Sequence, residues 1–271
     1  MQKLFITALA GLLVACTQNS VPETPPVNVS EIAEAPANAP VIQVMRYGNP
    51  EGRTLVLIPG LASSAAVWDG TVAEFNDFDL RVVQVGGFAG AGAFTPDGTY
   101  TDAISKAVLD HLGAVPGNET VLIGHSMGGF VSLKTALKNQ DAVSELIIVD
   151  SLPFLAGLFM PGTTPEQAAT SASAMRDQML GLPRGRFDAQ QAGGLPRLIK
   201  TADYVPTLTD WAKASDQATV SHVMGELLSV DLREEIAAIT VPTLVLAPYD
   251  ATMGFPQAMV ETLYTDQYVA A

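Results

Sequence analysis

The residues of this sequence that point most clearly to catalysis are Gly124-His125-Ser126-Met127-Gly128-Gly129, a G-x-S-x-G pattern centred on one serine. The mainly apolar run 120–123 precedes it, and the segment 130–137 follows it with helical spacing. A strand that enters such a turn and a helix that leaves it hold a serine hydroxyl out for attack, and small neighbours let the strained turn form. We therefore predict that Ser126 is a nucleophile.

The segments that must position this serine alternate between strand and helix patterns. Apolar runs at 54–58, 80–85 and 145–150 are typical of strands buried on both faces of a sheet. Helical spacing separates them at 65–75 and 102–112. This alternation predicts an α/β fold with a mostly parallel, helix-covered sheet, in which ligands bind beyond the carboxyl ends of the strands.

The strand pattern ends after Asp150 and returns only at 241–247, before a helix-like tail at 256–268. We interpret residues 151–235 as a helical cap inserted into a core formed by residues 41–150 and 236–271. The cap begins with the unusually apolar stretch 152–160, which either packs on the core or lines an acyl pocket.

Taken together, these patterns resemble the α/β-hydrolase family over about residues 41–271. The resemblance rests on the loop Pro59-Gly60-Leu61-Ala62-Ser63-Ser64, the Ser126 turn, the cap and the late run Pro-Thr-Leu-Val-Leu at 242–246. Residues 149–154 and 161–166 are further similar to a group of exported bacterial hydrolases.

The resemblance implies a carboxylic ester or related acyl bond as substrate and an acyl-enzyme on Ser126. In this family two backbone N–H groups form the oxyanion hole, and the matching positions are Leu61 and Met127. The expected partner is a small acyl substrate. The chemistry needs no cofactor, and we expect no metal.

The resemblance also gives the order of the triad in the chain, which is serine, then acid, then histidine. Asp250, after the late strand, is the first choice for the acid. The run from Pro242 to Asp250 is one residue shorter than the family pattern, and Pro248 replaces its glycine. Asp150, at the end of the preceding strand, is the alternative.

A histidine base is harder to assign, because the chain has only His111, His125 and His222, and none follows Asp250. His125 and His111 favour structural roles, and a base at His222 in the cap would be unusual for the family. We expect the catalytic histidine to follow a last strand and helix that this sequence lacks, so that it stops about 30 or more residues early. If residue 271 is the true end, the alternative is a non-catalytic or degenerate hydrolase-fold binding protein.

The N-terminus predicts export and lipid anchoring. Residues 1–15 read as a signal peptide whose apolar stretch, 4–14, is shorter than the roughly 20 residues that span a bilayer. Leu-Val-Ala-Cys at 13–16 resembles a bacterial lipobox with Cys16 as the lipidated residue, and cleavage after Ala10 is the alternative. Thr17 favours the outer membrane, facing the periplasm. The proline-rich stretch 16–40 is interpreted as a disordered tether.

Composition narrows the possible partners. The chain of 271 residues has 28 acidic and 14 basic side chains, a formal charge of −14. This charge repels phosphate backbones, so we expect no nucleic-acid partner. The single cysteine excludes a disulfide within the chain and a multi-cysteine metal site.

Overall fold

A computed structural model describes residues 39–113, 119–251 and 256–269. The predicted signal peptide, Cys16 and nearly all of the predicted tether lie outside these residues. Within them, no helix is both long enough and apolar enough to cross a membrane.

The described chain forms a six-stranded sheet in the order β1-β3-β2-β4-β5-β6. β1 pairs antiparallel with β3, and every other pairing is parallel. The strands are β1 (Ile42–Gly48), β2 (Thr54–Ile58), β3 (Asp79–Val85), β4 (Val121–His125), β5 (Glu145–Val149) and β6 (Thr243–Leu246). The predicted mostly parallel α/β sheet is confirmed.

α-Helices connect these strands, form the region between β5 and β6, and follow β6. They are α1 (Asp69–Glu74), α2 (Tyr100–Gly113), α3 (Met127–Lys138), α4 (Ala156–Phe159), α5 (Pro165–Gly181), α6 (Arg184–Gly194), α7 (Val205–Ala214), α8 (Gln217–Ser229) and α9 (Gln257–Val269). The segment expected to be one helix at 65–75 is a short 3₁₀ helix, Ala65–Trp68, followed directly by α1.

Both faces of the sheet are covered, as β2 shows. Val56 and Ile58 belong to the larger apolar cluster, which includes residues of α2, α3 and α8. Leu55 and Leu57, the alternate residues of the same strand, belong to a second cluster around Trp68. Successive side chains of a strand point to opposite faces, so each face of β2 is packed by a different layer.

The region predicted to be a cap, residues 151–235, is bonded to the core at defined points. The Gly90 N–H donates to the Ala214 carbonyl (3.1 Å), and the Asp216 N–H donates to the Gly87 carbonyl (2.7 Å). Phe154, in the apolar start of the region, is 1% exposed and packs in the larger cluster. This supports the packing alternative for the stretch 152–160.

β6 lies at the edge of the described sheet. Its side chains Leu244 and Leu246 are 53% and 45% exposed, whereas β2 and β4 are largely buried. A strand beyond β6 stays a prediction of the sequence.

Candidate active site

Ser126 lies in the turn between β4 and α3, with φ 52° and ψ −118°. Its N–H donates to the Val149 carbonyl (2.9 Å), and its own carbonyl accepts from the N–H groups of Gly129 and Phe130 (2.9 and 3.2 Å). A positive φ is strained for a residue with a side chain and persists only where surrounding bonds impose it. The predicted strand–serine–helix turn is therefore present, and its backbone is held on both sides.

The glycines of this turn are required because the packing leaves no room for a side chain at these positions. A Cβ atom on Gly124 would lie 2.1 Å from the Gly128 carbonyl oxygen, and one on Gly128 would lie 2.2 Å from the Ile58 carbonyl oxygen. A Cβ on Gly129 would meet the Ser151 side chain at 2.5 Å. The first turn of α3 thus packs directly against the ends of β2 and β4 and the start of the segment after β5.

The two positions predicted to stabilise an oxyanion flank this contact in the chain. Leu61 follows the β2 end that Gly128 touches, and Met127 opens α3; their side chains are 2% and 1% exposed. Neither backbone N–H finds a hydrogen-bond acceptor among the described residues. Buried N–H groups are nearly always bonded, so two open donors beside a serine are the feature that an oxyanion hole requires.

Asp150, the alternative acid, follows β5 at φ 47°. Its N–H donates to the Leu246 carbonyl (2.9 Å), and its carboxylate accepts a hydrogen bond from the Tyr264 hydroxyl (3.0 Å). Burial, assisted by the negative charge of Asp150, raises the pKa of Tyr264 well above its usual range. The phenol therefore stays protonated and donates to the carboxylate.

Asp250, the first choice for the acid, lies beyond the end of β6. Its Oδ2 atom is 2.8 Å from Nζ of Lys200, and the two side chains are 19% and 68% exposed. Lys200 belongs to the predicted cap, so this ion pair joins that region to the end of β6.

The three histidines occupy separate environments. His125 is 1% exposed, and neither of its ring nitrogens has a described hydrogen-bond partner. Burial lowers its pKa, against an opposing effect of the Asp150 charge, and keeps the ring neutral. Burial also lowers the pKa of His111 near the end of α2, and His222 stacks on Tyr100. Among the described residues, no hydrogen bond joins a histidine to Ser126.

The sequence analysis did not predict that α9 contacts the residues that follow β5. The Tyr264 hydroxyl bonds Asp150, the Tyr268 hydroxyl donates to the Ser151 carbonyl (2.8 Å), and Gln267 accepts from the Phe154 N–H (3.1 Å). The available signal was the spacing of the two tyrosines, because residues four apart lie on one face of a helix.

Within the described ranges, no group of three or more histidine, cysteine, aspartate or glutamate side chains is placed to hold a metal ion.

Comparisons with known proteins agree with this architecture. The profile of a family described as "Alpha/beta hydrolase family" matches residues 55–270. The chain is 30% identical over 199 residues to a pimeloyl-[acyl-carrier protein] methyl ester esterase of Vibrio cholerae, covering 72% of this chain and 74% of that protein. It is 26% identical to an N-formylmaleamate deformylase of Pseudomonas putida, covering 74% and 72%. A crystal structure of a hydrolase from Pseudomonas aeruginosa superimposes with a TM-score of 0.66 at 21% identity, covering 83% and 82%.

Proposed function

This chain belongs to the alpha/beta hydrolase family, and on that premise we propose that it cleaves a carboxylic ester or related acyl bond through an acyl-enzyme on Ser126. The single observation that carries the proposal is the strained Ser126 turn beside two open backbone donors. The names of the relatives, a methyl ester esterase and a deformylase, support an acyl bond as the target.

In the proposed reaction, Ser126 Oγ loses its proton to a base and attacks the carbonyl carbon of the substrate. The negative charge that forms on the carbonyl oxygen is stabilised by the N–H groups of Leu61 and Met127, each contributing about 3 kcal/mol in comparable sites. The alcohol then leaves with a proton, and water hydrolyses the acyl-enzyme to release the acid and restore Ser126. An aspartate orients the base, Asp250 first and Asp150 as the alternative.

The test uses the product of the full-length gene, including any residues that follow residue 271, with a short-chain aryl ester as substrate and a fluorophosphonate as an active-site label. We expect ester hydrolysis and one covalent adduct on Ser126, detected by intact mass and peptide mapping. Ser126→Ala should abolish both, because the attacking oxygen is removed. Ser171→Ala, at an exposed serine of α5, is the matched control and should change neither. Hydrolysis that survives Ser126→Ala would contradict the proposal.

A second candidate function is a non-catalytic binding protein on the hydrolase fold. It is favoured by one observation: in the described parts of the chain, no histidine is bonded to Ser126, and His125 is buried and neutral. A serine without a base is a weak nucleophile. Under this alternative the chain binds an acyl ester without hydrolysing it, and the fluorophosphonate leaves Ser126 unlabelled.

A further inference from the structure

A cavity of about 390 Å³, separate from the Ser126 turn, lies between α5, α8 and the loop that leads into α2. Its volume falls in the range of small-molecule binding sites. Its walls, which belong entirely to described residues, do not include Ser126, Leu61, Met127 or either candidate acid. A molecule bound in this cavity, here called the α5–α8 cavity, would not contact the proposed nucleophile.

The α5–α8 cavity contains one guanidinium group, that of Arg176. The methylene groups of Arg176 lie over Gly225 of α8, where a Cβ atom would be 3.1 Å from the arginine Cβ. The charged end pairs only with its sequence neighbour Asp177 among the described residues (2.7 Å), and the two side chains are 35% and 64% exposed. Exposed pairs of this kind contribute little, so the guanidinium can turn to an incoming anion at small cost.

The one acidic side chain of the wall is held by hydrogen bonds to the start of α2. Glu226 accepts hydrogen bonds from the N–H groups of Tyr100 and Thr101, each 2.7 Å long. These groups open α2, whose N-terminal end carries a partial positive charge. The carboxylate of Glu226 is thus held at the start of the helix, and Arg176 is the only lysine or arginine among the residues that line the cavity.

A pair of flat rings forms another part of the wall. The Tyr100 phenol and the His222 imidazole are stacked with centroids 5.3 Å apart and planes 18° apart, and both residues line the cavity. Aromatic pairs of this kind offer an apolar surface against which a further planar group can pack. The cavity therefore combines a cation with a flat apolar surface.

We propose that the α5–α8 cavity is a second ligand site that takes a small aromatic carboxylate. The carboxylate pairs with Arg176 through the two parallel hydrogen bonds that a guanidinium offers, and the aromatic ring packs against Tyr100 and His222. The site is independent of catalysis at Ser126.

The test is a titration of the full chain with benzoate, followed by chemical shifts of the backbone amides. We expect saturable binding with shifts concentrated at residues 99–101 and 222–229. Benzamide, which has the same ring without the charge, should bind at least about tenfold more weakly, since hydrogen bonds to a charged group are the stronger ones. Inorganic phosphate, which lacks the ring, should also bind more weakly; phosphate binding as tight as benzoate binding would overturn the aromatic-carboxylate assignment.

Three arginine variants make the test specific. Arg176→Gln should weaken benzoate binding at least about tenfold, and Arg176→Lys should give an intermediate loss because the charge remains without the planar fork. Arg186→Gln removes the same charge at an exposed position of α6 and should bind as the parent does. No saturable binding of benzoate, or equal binding by the Arg176 and Arg186 variants, would overturn the proposal. Ser126→Ala should leave benzoate binding unchanged, so failure of this site and failure of the proposed hydrolase activity are distinguishable.

Discussion

Ser126 is one of four non-glycine residues with positive φ in the described chain, and all four follow strands. Ala62 comes after β2, Ala89 after β3, Ser126 after β4 and Asp150 after β5. Such backbone costs about 1–3 kcal/mol at each residue and is retained where it serves a site. The strain is thus concentrated at the carboxyl edge of the sheet, where ligands bind in folds of this class.

Two aspartates at this edge are candidates for the triad acid. Asp150 accepts from Tyr264, which fixes its carboxylate, whereas Asp250 is paired with the more exposed Lys200. Which of the two carboxylates is the triad acid stays a prediction of the sequence, with Asp250 as the first choice and Asp150 as the alternative.

At the scale of single residues, we predict that Asp250→Asn lowers kcat for ester hydrolysis on the order of 10⁴-fold, because the amide no longer orients the base. Asp150→Asn should change kcat by less than about tenfold, since asparagine still accepts from Tyr264 and tolerates positive φ. Steady-state kinetics with an aryl ester measures both, and thermal melts control for folding. A larger loss in Asp150→Asn would instead assign the acid to Asp150.

At the scale of elements, the site depends on how closely α3 approaches β2. The Ile58 carbonyl oxygen fills the space where a side chain at Gly128 would begin. Backbone atoms of a central strand cannot move aside as a flexible side chain can. The approach of α3, which begins at Met127, to the end of β2, which Leu61 follows, is therefore limited by a backbone contact.

We predict that Gly128→Ala lowers the free energy of unfolding by about 2 kcal/mol or more, the upper part of the range for overpacking a core. Urea denaturation of the full chain measures the change. Gly193→Ala in α6 is the matched control, because a Cβ there meets nothing within 4 Å. Replacing a glycine within a helix by alanine should raise stability by up to about 1 kcal/mol. Equal effects of the two substitutions would contradict the steric account.

At the scale of the whole molecule, the region 151–235 is held by bonds on several sides. Backbone hydrogen bonds join it to the loop after β3, Glu226 bonds the start of α2, and Lys200 reaches Asp250. These bonds involve three separate parts of the core. The position of residues 151–235 relative to the core is therefore fixed by these bonds as well as by the two chain connections.

The predicted lipid anchor also belongs to this scale, because it would place the whole molecule on a membrane. We predict that Cys16→Ala moves the protein from the membrane fraction to the soluble fraction of expressing cells, since the acyl chains are then lost. Thr17→Ala, which keeps the cysteine, is the control and should stay with the membrane. Fractionation followed by immunoblotting measures both, and an unchanged distribution of Cys16→Ala would refute the anchor.

The sequence by itself determined the features that depend on near neighbours. The strands at 54–58 and 145–149, the helix after Ser126 and the serine turn follow from side-chain period and from glycines one or two residues away. These signals are local, because the pattern of a helix relates residues three or four positions apart and that of a strand relates residues two positions apart. The predicted sheet and the Ser126 turn therefore appear in the structure nearly as expected.

Only the tertiary structure decided which distant residues meet. Tyr264 bonds Asp150 across 114 positions of the chain, Lys200 pairs with Asp250, and Arg176 shares a cavity with Tyr100 and His222. No periodicity encodes such pairs, because they depend on how helices and loops pack once the sheet has formed. The sequence thus predicted the attacking group, while packing decided which distant side chains meet and formed the α5–α8 cavity.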